Sequence, residues 1–428
     1  MQKIVNKQFS PGTMFTGVFT QQFKTSVCSV VAVLPMQQEN ACAALLPQVL
    51  ACGTAQNPDM QSIGAQLDDL YGARIVPIIR KAGENLEIGF IADMIEGAYA
   101  GHPSSILEGV AGLISDFWYH PHLTAEGLLQ PDAAEREKNN LLVRIGALKT
   151  DTRNYANRRL YAHMCKDEPY GWCEYGTKEG TKAVTAEALT AFWKNVCQNA
   201  PLQIFYCGGA SEDFAEGLFR RLFDKTTGSM GYRQTIQHPA PESPLSVTEK
   251  IHATQAKLSL GFRTGLTGLD KAYPALMLFA MMYGGYTGSA LFRNLREKRS
   301  LCYYASAFLD KFKGIMTVSS GIDEKNFHAA FDESMALLKN LAAGGFTNDE
   351  LESARRSLLD VLRTKQESVL DMEEFYQGQM AGRLVYDLNS LIHEISALTR
   401  QDVLTAAQHI ILDTLYFLKG DKQNDSVI

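Results

Sequence analysis

Residues Asn40–Thr54 read NACAALLPQVLACGT, an apolar run with helical spacing that stops at Gly53. A strand-like stretch, SVCSVVAVLP at 26–35, precedes this run, and a polar helix, QSIGAQLDDLYG at 61–72, follows it. Two more apolar segments then flank the turn sequence AGEN at 82–85, as in a β-hairpin. The order of strand, apolar helix, polar helix and hairpin predicts a unit that contains both sheet and helices.

The second half of the chain repeats this order of elements. A strand is predicted at 247–262, VTEKIHATQAKLSLGF, and an apolar helix at 273–285, YPALMLFAMMYGG. A polar helix, SALFRNLREKRS at 289–300, comes next, and a hairpin follows it. The apolar helix ends at Gly285, as its counterpart ends at Gly53. The repeat predicts two similar units in tandem.

The boundary between the two units is predicted at 224–244. This stretch, DKTTGSMGYRQTIQHPAPESP, is rich in Gly, Pro, Ser and Thr and shows no periodicity. The predicted N-terminal domain is 1–223, the linker is 224–244, and the C-terminal domain is 245–428. The predicted fold class is α+β, with two tandem homologous domains that each contain a mostly antiparallel sheet covered by helices.

Composition indicates a globular protein and bears on its partners and its cellular compartment. The chain has 428 residues, of which 46% are hydrophobic and 21% charged, so it can bury the cores of two globular domains. Its 47 acidic and 41 basic residues are spread along the chain without a basic stripe, which argues against a nucleic-acid partner. The longest apolar run, around 275–283, is about half of the length that spans a bilayer. The eight cysteines sit mostly inside apolar runs, and the start lacks a secretion signal, so we predict a cytoplasmic protein without a membrane span.

Five stretches, in order, resemble the insulinase and pitrilysin family of inverted zinc metallopeptidases, which includes the mitochondrial processing peptidase. They are ALLPQVLACGT at 44–54, GAQLDDLYGA at 64–73, EREKNNLLVRI at 135–145, EPYGWCEYGTKEGTKAVTAEAL at 168–189 and GGYTGSALFRNLREKRSLCYYAS at 284–306. Together they span most of both halves. The resemblance implies a processing peptidase-like metallohydrolase fold.

The zinc box of the family is degenerate in this chain. The family carries H-x-x-E-H on the first apolar helix, where the two histidines share one helix face and the glutamate acts as general base. The resemblance places these positions at Ala44, Pro47 and Gln48, and the third zinc ligand at Arg144. A methyl group, a proline ring, an amide and a cation cannot replace the family's ligands and base. We therefore predict that this chain binds no cofactor of its own. The sequence contains no H-x-x-E-H or H-E-x-x-H motif elsewhere.

Two other groups of metal-ligating residue types are present. His120 and His122 are separated by a proline and would not share a helix face. His163 lies near Cys165 and Cys173, but these cysteines are eight residues apart and a fourth ligand is not evident. Structural roles are the simpler interpretation of both groups.

An arginine and a tyrosine of the family's active site are retained in the second half. Active members use them, in a stretch resembling L-R-x-x-x-x-L-x-Y, to hold the substrate backbone and stabilise the oxyanion. In LREKRSLCY the pair is Arg296 and Tyr303, seven residues apart. Both side chains donate hydrogen bonds, which suits a peptide carbonyl or the charge that develops on it. The structural alternative is a solvated Arg296 and a Tyr303 that packs on the core.

A lost zinc box with a retained arginine and tyrosine resembles the non-catalytic chain of two-chain bacterial members. The resemblance implies a subunit that is inactive alone, binds unfolded peptide and completes the site of a zinc-bearing paralogous chain, as a heterodimer or else as a homodimer. We expect the stretch at 26–35 to lie near the sheet edge and to accept extended peptide by strand addition. The alternative is a scaffold or interaction protein of the same fold that has given up proteolysis.

Overall fold

A computed structural model describes residues 2–100, 105–382 and 387–420, with the side chains of 379–382 excepted. Its strands are β1 (Lys3–Ser10), β2 (Thr13–Phe19), β3 (Thr25–Pro35), β4 (Arg74–Ala82), β5 (Asn85–Ile95), β6 (Leu202–Gly208), β7 (Leu245–Ile251), β8 (Ala256–Arg263), β9 (Cys302–Asp310), β10 (Ile315–Ile322) and β11 (Ile411–Gly420). Its α-helices are α1 (Ala41–Leu50), α2 (Met60–Asp69), α3 (Ser105–Tyr119), α4 (Pro131–Ala147), α5 (Thr152–Met164), α6 (Lys178–Ala183), α7 (Ala186–Asn199), α8 (Glu212–Phe223), α9 (Tyr273–Ala280), α10 (Phe327–Ala342), α11 (Asn348–Lys365), α12 (Val369–Gly382), α13 (Leu388–Ala397) and α14 (Arg400–Ala407).

The chain folds into two compact units. Each unit contains one helix from a stretch of sequence that is flanked by the other unit, and α5 and α12 are called the exchanged helices here. The first unit contains the described parts of 1–146, 172–234 and 365–383, and the second contains those of 147–171, 235–364 and 384–428. Helix α5 therefore packs on strands of the second unit, and α12 packs on strands of the first. From the end of α8 to the start of β7 the chain forms neither helix nor strand.

Each unit is built on one sheet, and the two sheets have the same topology. The first has the strand order β1-β2-β6-β3-β5-β4, and the second has the order β7-β11-β8-β10-β9. Only one neighbouring pair in each sheet is parallel, β2 with β6 and β7 with β11. Without β1, the two orders match strand for strand. The α+β fold with mostly antiparallel sheets is confirmed.

The internal repeat also appears in the backbone conformation before each hairpin. Gly72, in the stretch LDDLYGA, has a φ of 71°, and the matching residue of LREKRSL, Ser300, has a φ of 51°. Left-handed backbone costs a residue with a side chain roughly 1–2 kcal/mol and costs glycine little. The first-half turn has the same kind of cost at the preceding residue, since Tyr71 has a φ of 61°. Each half thus has one residue with a side chain in left-handed backbone before its hairpin.

One predicted strand divides in two. The stretch 247–262 forms β7 and β8, which are separated by a turn at 252–255. Strand β7 does not pair with β8, because both lie beside β11 on opposite sides. The alternation of apolar and polar residues continues through both strands, so periodicity alone did not show the break.

The expectation that residues 26–35 lie near a sheet edge is wrong. Strand β3 pairs with β6 on one side and with β5 on the other, so it lies inside the sheet. Its residues from Ser26 to Leu34 are buried. A strand that is covered on both faces reads as a continuous apolar run, and SVCSVVAVLP has this pattern. The edges of the first sheet are β1 and β4.

The core of the first unit is rich in aromatic side chains. Phe90 packs against Phe117 and Trp118, with ring centres 5.1 and 5.7 Å apart. These rings fill the space between strand β5 and helix α3. Helix α1 covers the same side of the sheet, and its eight buried residues include Ala44 and Pro47. None of the helices in the described part of the chain is both long enough and apolar enough to cross a bilayer.

Candidate functional site

The three positions of the zinc box on α1 carry no metal ligand. Ala44 is 2% exposed, Pro47 is also buried, and Gln48 is half-buried. A methyl group and a proline ring belong to the apolar core here, because α1 is apolar nearly all round. The single amide of Gln48 is neutral and binds zinc weakly compared with imidazole.

The position of the third ligand carries a cation. Arg144 is exposed on α4, with its guanidinium carbon 5.9 Å from the centre of the Tyr175 ring. Its charge opposes a divalent cation. Among the side chains that the structure describes, no three or more His, Cys, Asp or Glu residues are grouped to hold a metal. These residues do not fit the zinc that the family carries.

The two histidine groups noted in the sequence have other contacts. The Nδ1 atom of His122 lies 2.9 Å from the carbonyl oxygen of Pro58. The Nε2 atom of His163 lies 3.2 Å from a guanidinium nitrogen of Arg159, and its ring packs on Tyr416. Burial, together with the charge of Arg159, lowers the pKa of His163. Both contacts are those of structural residues.

Hydrogen bonds connect the start of α1 to the stretch EPYGWCEYGT at 168–177. The carboxylate of Glu39 accepts hydrogen bonds from the hydroxyl of Thr177, at 2.6 Å, and from the amide of Ala41, at 2.9 Å. The side-chain amide of Asn40 donates to the carbonyl oxygen of Cys173 at 2.9 Å. Gly176 leaves room for Glu39, because a Cβ at Gly176 would meet the carboxylate. The residues just before the first of the five stretches are thus in direct contact with the fourth stretch.

A cavity of 370 Å³ lies at the other end of α1, and no motif in the sequence indicated it. Its lining includes Cys52, His122, Leu129 and Arg136. The Sγ atom of Cys52 accepts a hydrogen bond of 3.0 Å from Arg136. Burial nevertheless raises the pKa of Cys52, so the thiol is protonated near neutral pH and is a weak nucleophile. The cavity therefore has no activated cysteine.

Arg296 and Tyr303 lie on the second unit, at the two ends of a short connection. Arg296 belongs to a π-helical turn, Phe292–Lys298, and its guanidinium carbon lies 4.8 Å from the centre of the Phe292 ring. Tyr303 is the second residue of β9, the edge strand of its sheet. Both side chains are exposed, and that of Tyr303 retains 58% of its accessible surface.

The connection between these two residues is held by hydrogen bonds. The amide of Leu301 donates to the carbonyl oxygen of Leu295 at 2.7 Å. The side-chain amide of Asn326 donates to the carbonyl oxygen of Leu301 at 3.3 Å. Tyr303 itself donates from its hydroxyl to Asp323 at 3.2 Å, and this hydrogen bond raises the pKa of the tyrosine. The pair is therefore presented to solvent by a fixed stretch of backbone.

Comparison with known proteins agrees with this geometry. Residues 183–358 match the family model described as "Peptidase M16 inactive domain". The chain is 29% identical over 404 residues to "Probable inactive metalloprotease YmfF" of Bacillus subtilis (strain 168), which covers 94% of this chain and 95% of the relative. It is 24% identical over 304 residues to "Uncharacterized zinc protease SCO5738" of Streptomyces coelicolor, which covers 66% of this chain and 64% of that protein.

Solved structures share the fold over nearly the whole chain. A conserved protein from Enterococcus faecalis V583 has a TM-score of 0.87 at 24% identity and covers 99% of this chain and 100% of its own. A peptidase M16 inactive domain from Pseudomonas fluorescens has a TM-score of 0.81 at 17% identity and covers 98% of both chains. With this shared fold, a family match over residues 183–358 and zinc-box positions without a ligand, the chain is similar to inactive homologues of the M16 metallopeptidases, the insulinase and pitrilysin family.

Proposed function

We propose that the chain is the non-catalytic subunit of a two-chain zinc peptidase. It binds extended peptide and supplies Arg296 and Tyr303 to the active site of a zinc-bearing paralogous chain. The observation that carries the proposal is the exposure of both side chains beside an edge strand, while the zinc-box helix offers no ligand. A solvated arginine and a solvated tyrosine are available to a second chain in a way that core residues are not.

The chemistry of the two side chains suits this role. The guanidinium group of Arg296 is charged at all working pH values and offers several N–H donors. The phenol of Tyr303 is neutral near pH 7 and offers one O–H donor. Such donors stabilise negative charge on a peptide oxygen when they are held in place beforehand. In this proposal the zinc, its ligands and the general base all belong to the partner chain.

Peptide binding is proposed at a free sheet edge of the first unit, which is β4 rather than β3. An extended peptide that adds to an edge strand gains main-chain hydrogen bonds without a metal. Pro77 lies within β4, opposite Phe90 of β5, and it lacks an N–H group. In an edge strand, the position of a proline that lacks an N–H group faces the side of the strand that has no partner strand. Strand addition at β4 therefore has one donor fewer than a regular edge provides.

The partner is proposed to be a paralogue in a cytoplasmic heterodimer, with a homodimer as the other arrangement. Support comes from the relatives, since one that spans nearly the whole chain is named an inactive metalloprotease and others are named zinc proteases. The two kinds share sequence with this chain, as expected for paired subunits. A zinc-box paralogue encoded beside this gene would favour the pair over a scaffold.

The reconstituted pair is expected to lose turnover when the two donors are removed. The variants are Arg296→Ala and Tyr303→Phe, each mixed with the zinc-bearing paralogue and assayed on an unfolded peptide. Loss of one oxyanion donor commonly lowers kcat about 10²-fold. The matched controls are Arg299→Ala, at the end of the same helical turn, and Tyr99→Phe, since Tyr99 is also 58% exposed.

The controls should leave turnover within about twofold, because exposed side chains outside a site rarely matter. If both site variants keep full turnover in an intact complex, the proposed role is wrong and the scaffold alternative gains support.

Metal analysis of the purified proteins is expected to separate the two chains. The chain alone should contain far less than one zinc per molecule, because its zinc-box positions are Ala44, Pro47 and Gln48. The pair should contain about one zinc, held by the partner. Inductively coupled plasma mass spectrometry after gel filtration measures both values. Stoichiometric zinc in the isolated chain would contradict the proposal.

A further inference from the structure

Tyr303 donates its hydroxyl hydrogen to a carboxylate within its own unit. The acceptor is Oδ1 of Asp323, at 3.2 Å. The strands are antiparallel, with Cys302 of β9 in register with Ile322 of β10 and Tyr304 with Gly321, so Tyr303 is the extra residue of a bulge. Asp323 follows Ile322 directly. The turn that begins at Asp323 is also tied to β9, because Asn326 donates to the carbonyl oxygen of Leu301.

A tyrosine hydroxyl carries only one hydrogen. While that hydrogen is bonded to Asp323, it cannot be donated to an oxygen of a peptide. A substrate oxygen must therefore compete with a carboxylate for it. Hydrogen bonds to ionised acceptors are roughly twice as strong as those to neutral ones. A neutral peptide carbonyl is the weaker competitor, whereas an oxyanion in a site that excludes water is a stronger acceptor than the exposed carboxylate of Asp323.

We propose that Asp323 reserves the hydroxyl of Tyr303 for negatively charged oxygen. The inference rests on the proposed function and adds a regulatory contact to the same site. In the ground state the phenol stays with Asp323, and as charge develops on the substrate oxygen the hydrogen bond passes to it. No covalent bond changes in this exchange. Tyr303 then stabilises the transition state more than the bound substrate, which is the condition for raising kcat.

The exposure of the contact makes the exchange easy. Tyr303 is 58% exposed, so water can solvate Asp323 once the phenol has left it. A hydrogen bond in such surroundings contributes little net free energy, and the expected effects are about two- to fivefold. A buried contact would instead lock the tyrosine and prevent its use.

The main test uses Asp323→Ala in the full chain, paired with the zinc-bearing paralogue. Without the competing carboxylate, Tyr303 also bonds the ground-state carbonyl, so KM should fall about two- to fivefold while kcat changes less than about twofold. The effect should disappear when Tyr303→Phe is combined with Asp323→Ala. The matched control is Asp332→Ala, an exposed carboxylate on α10. A rise in KM, or the same change in the phenylalanine background, overturns the proposal.

A second measurement tests the contact in the chain alone. The tyrosines are replaced by 3-fluorotyrosine, and the fluorine resonance that Tyr303→Phe removes is followed through a pH titration. The pKa of Tyr303 should fall in Asp323→Ala, because the hydrogen bond that raises it is lost. An unchanged pKa overturns the inference. If the pKa responds but Tyr303→Phe leaves turnover unaffected, the contact exists, and the proposed function fails together with the role given to Asp323.

Discussion

Replacement of Glu168 by alanine is expected to lower the free energy of unfolding of the second unit by about 3–5 kcal/mol. The carboxylate accepts a hydrogen bond of 2.5 Å from Arg263 and lies 2.6 Å from the ammonium nitrogen of Lys313. The side chain of Lys313 is 0% exposed, and that of Arg263 is 6% exposed. Without Glu168, Lys313 keeps its hydrogen bond to the carbonyl oxygen of Ile236, and Arg263 keeps Asp413 and the carbonyl oxygen of Met164. One carboxylate fewer then opposes the two buried cations.

Urea unfolding of the full chain, with hydrogen exchange of peptides from β8 and β11, measures this effect in the second unit. The neighbouring Asp167→Ala is the matched control, since its side chain is 85% exposed. The control should change the free energy by less than about 0.5 kcal/mol. If Glu168→Ala lowers the free energy of unfolding by less than about 1 kcal/mol, water or other groups compensate the charges of Arg263 and Lys313.

The same carboxylate predicts a dependence of stability on pH. Burial by itself would raise the pKa of Glu168, but the hydrogen bonds from Arg263 and Lys313 hold it below its ordinary value of 4.5. The folded state thus has the lower pKa, and the unfolded state binds the proton more readily. The contribution of Glu168 is complete above about pH 4.5 and is lost as the pH falls further. The difference between wild type and Glu168→Ala should shrink over this acidic range.

The first unit should respond as strongly to the loss of Arg80. This residue of β4 forms two hydrogen bonds with Glu373 of α12, at 2.6 and 2.9 Å. The Glu373 side chain is 2% exposed, so Arg80→Met leaves a buried carboxylate without its partner. The expected loss is about 3 kcal/mol, because a single buried charge is more costly than a buried pair. Urea unfolding and hydrogen exchange of peptides from α12 measure it.

Two further variants separate the cost of the orphaned charge from the loss of packing. The double variant Arg80→Met with Glu373→Met should recover most of the stability, because apolar replacements of a buried pair are often neutral. Arg74→Met is the matched control on the same strand, since its ion pair with Asp93 is exposed and contributes little. A double variant as unstable as Arg80→Met would show that lost packing, rather than the charge, causes the effect.

These two ion pairs anchor the segments that the units exchange. Glu168 follows α5 in the chain, and Glu373 lies within α12. Other contacts hold the same helices, such as the hydrogen bond from Gln377 to the carbonyl oxygen of Gln203 at 3.2 Å. In the second unit, Asn157 of α5 accepts a hydrogen bond from Ser259 at 2.9 Å. Each exchanged helix is thus fixed to its sheet by polar contacts as well as by apolar packing.

The repeat of elements and the degenerate zinc box follow from local sequence. Apolar spacing and the glycines that end helices report which face of an element is buried, and these features were sufficient for α1 and the hairpins. The loss of metal ligands can be read without the fold, since the side chains of alanine and proline have no zinc-binding atom, arginine is a cation, and the neutral amide of glutamine binds zinc weakly. Residues Arg296 and Tyr303 are candidates because their spacing in one short motif resembles that of the family.

Only the tertiary structure established which partners these elements have. The central position of β3, the exchange of α5 and α12, and the contacts Arg80–Glu373, Glu168–Lys313 and Tyr303–Asp323 all join residues that are distant in the chain. Periodicity indicates that a side chain is buried, but it carries no information about which residue lies opposite. That choice depends on how the strands order themselves in each sheet, and strand order is a property of the whole folded unit.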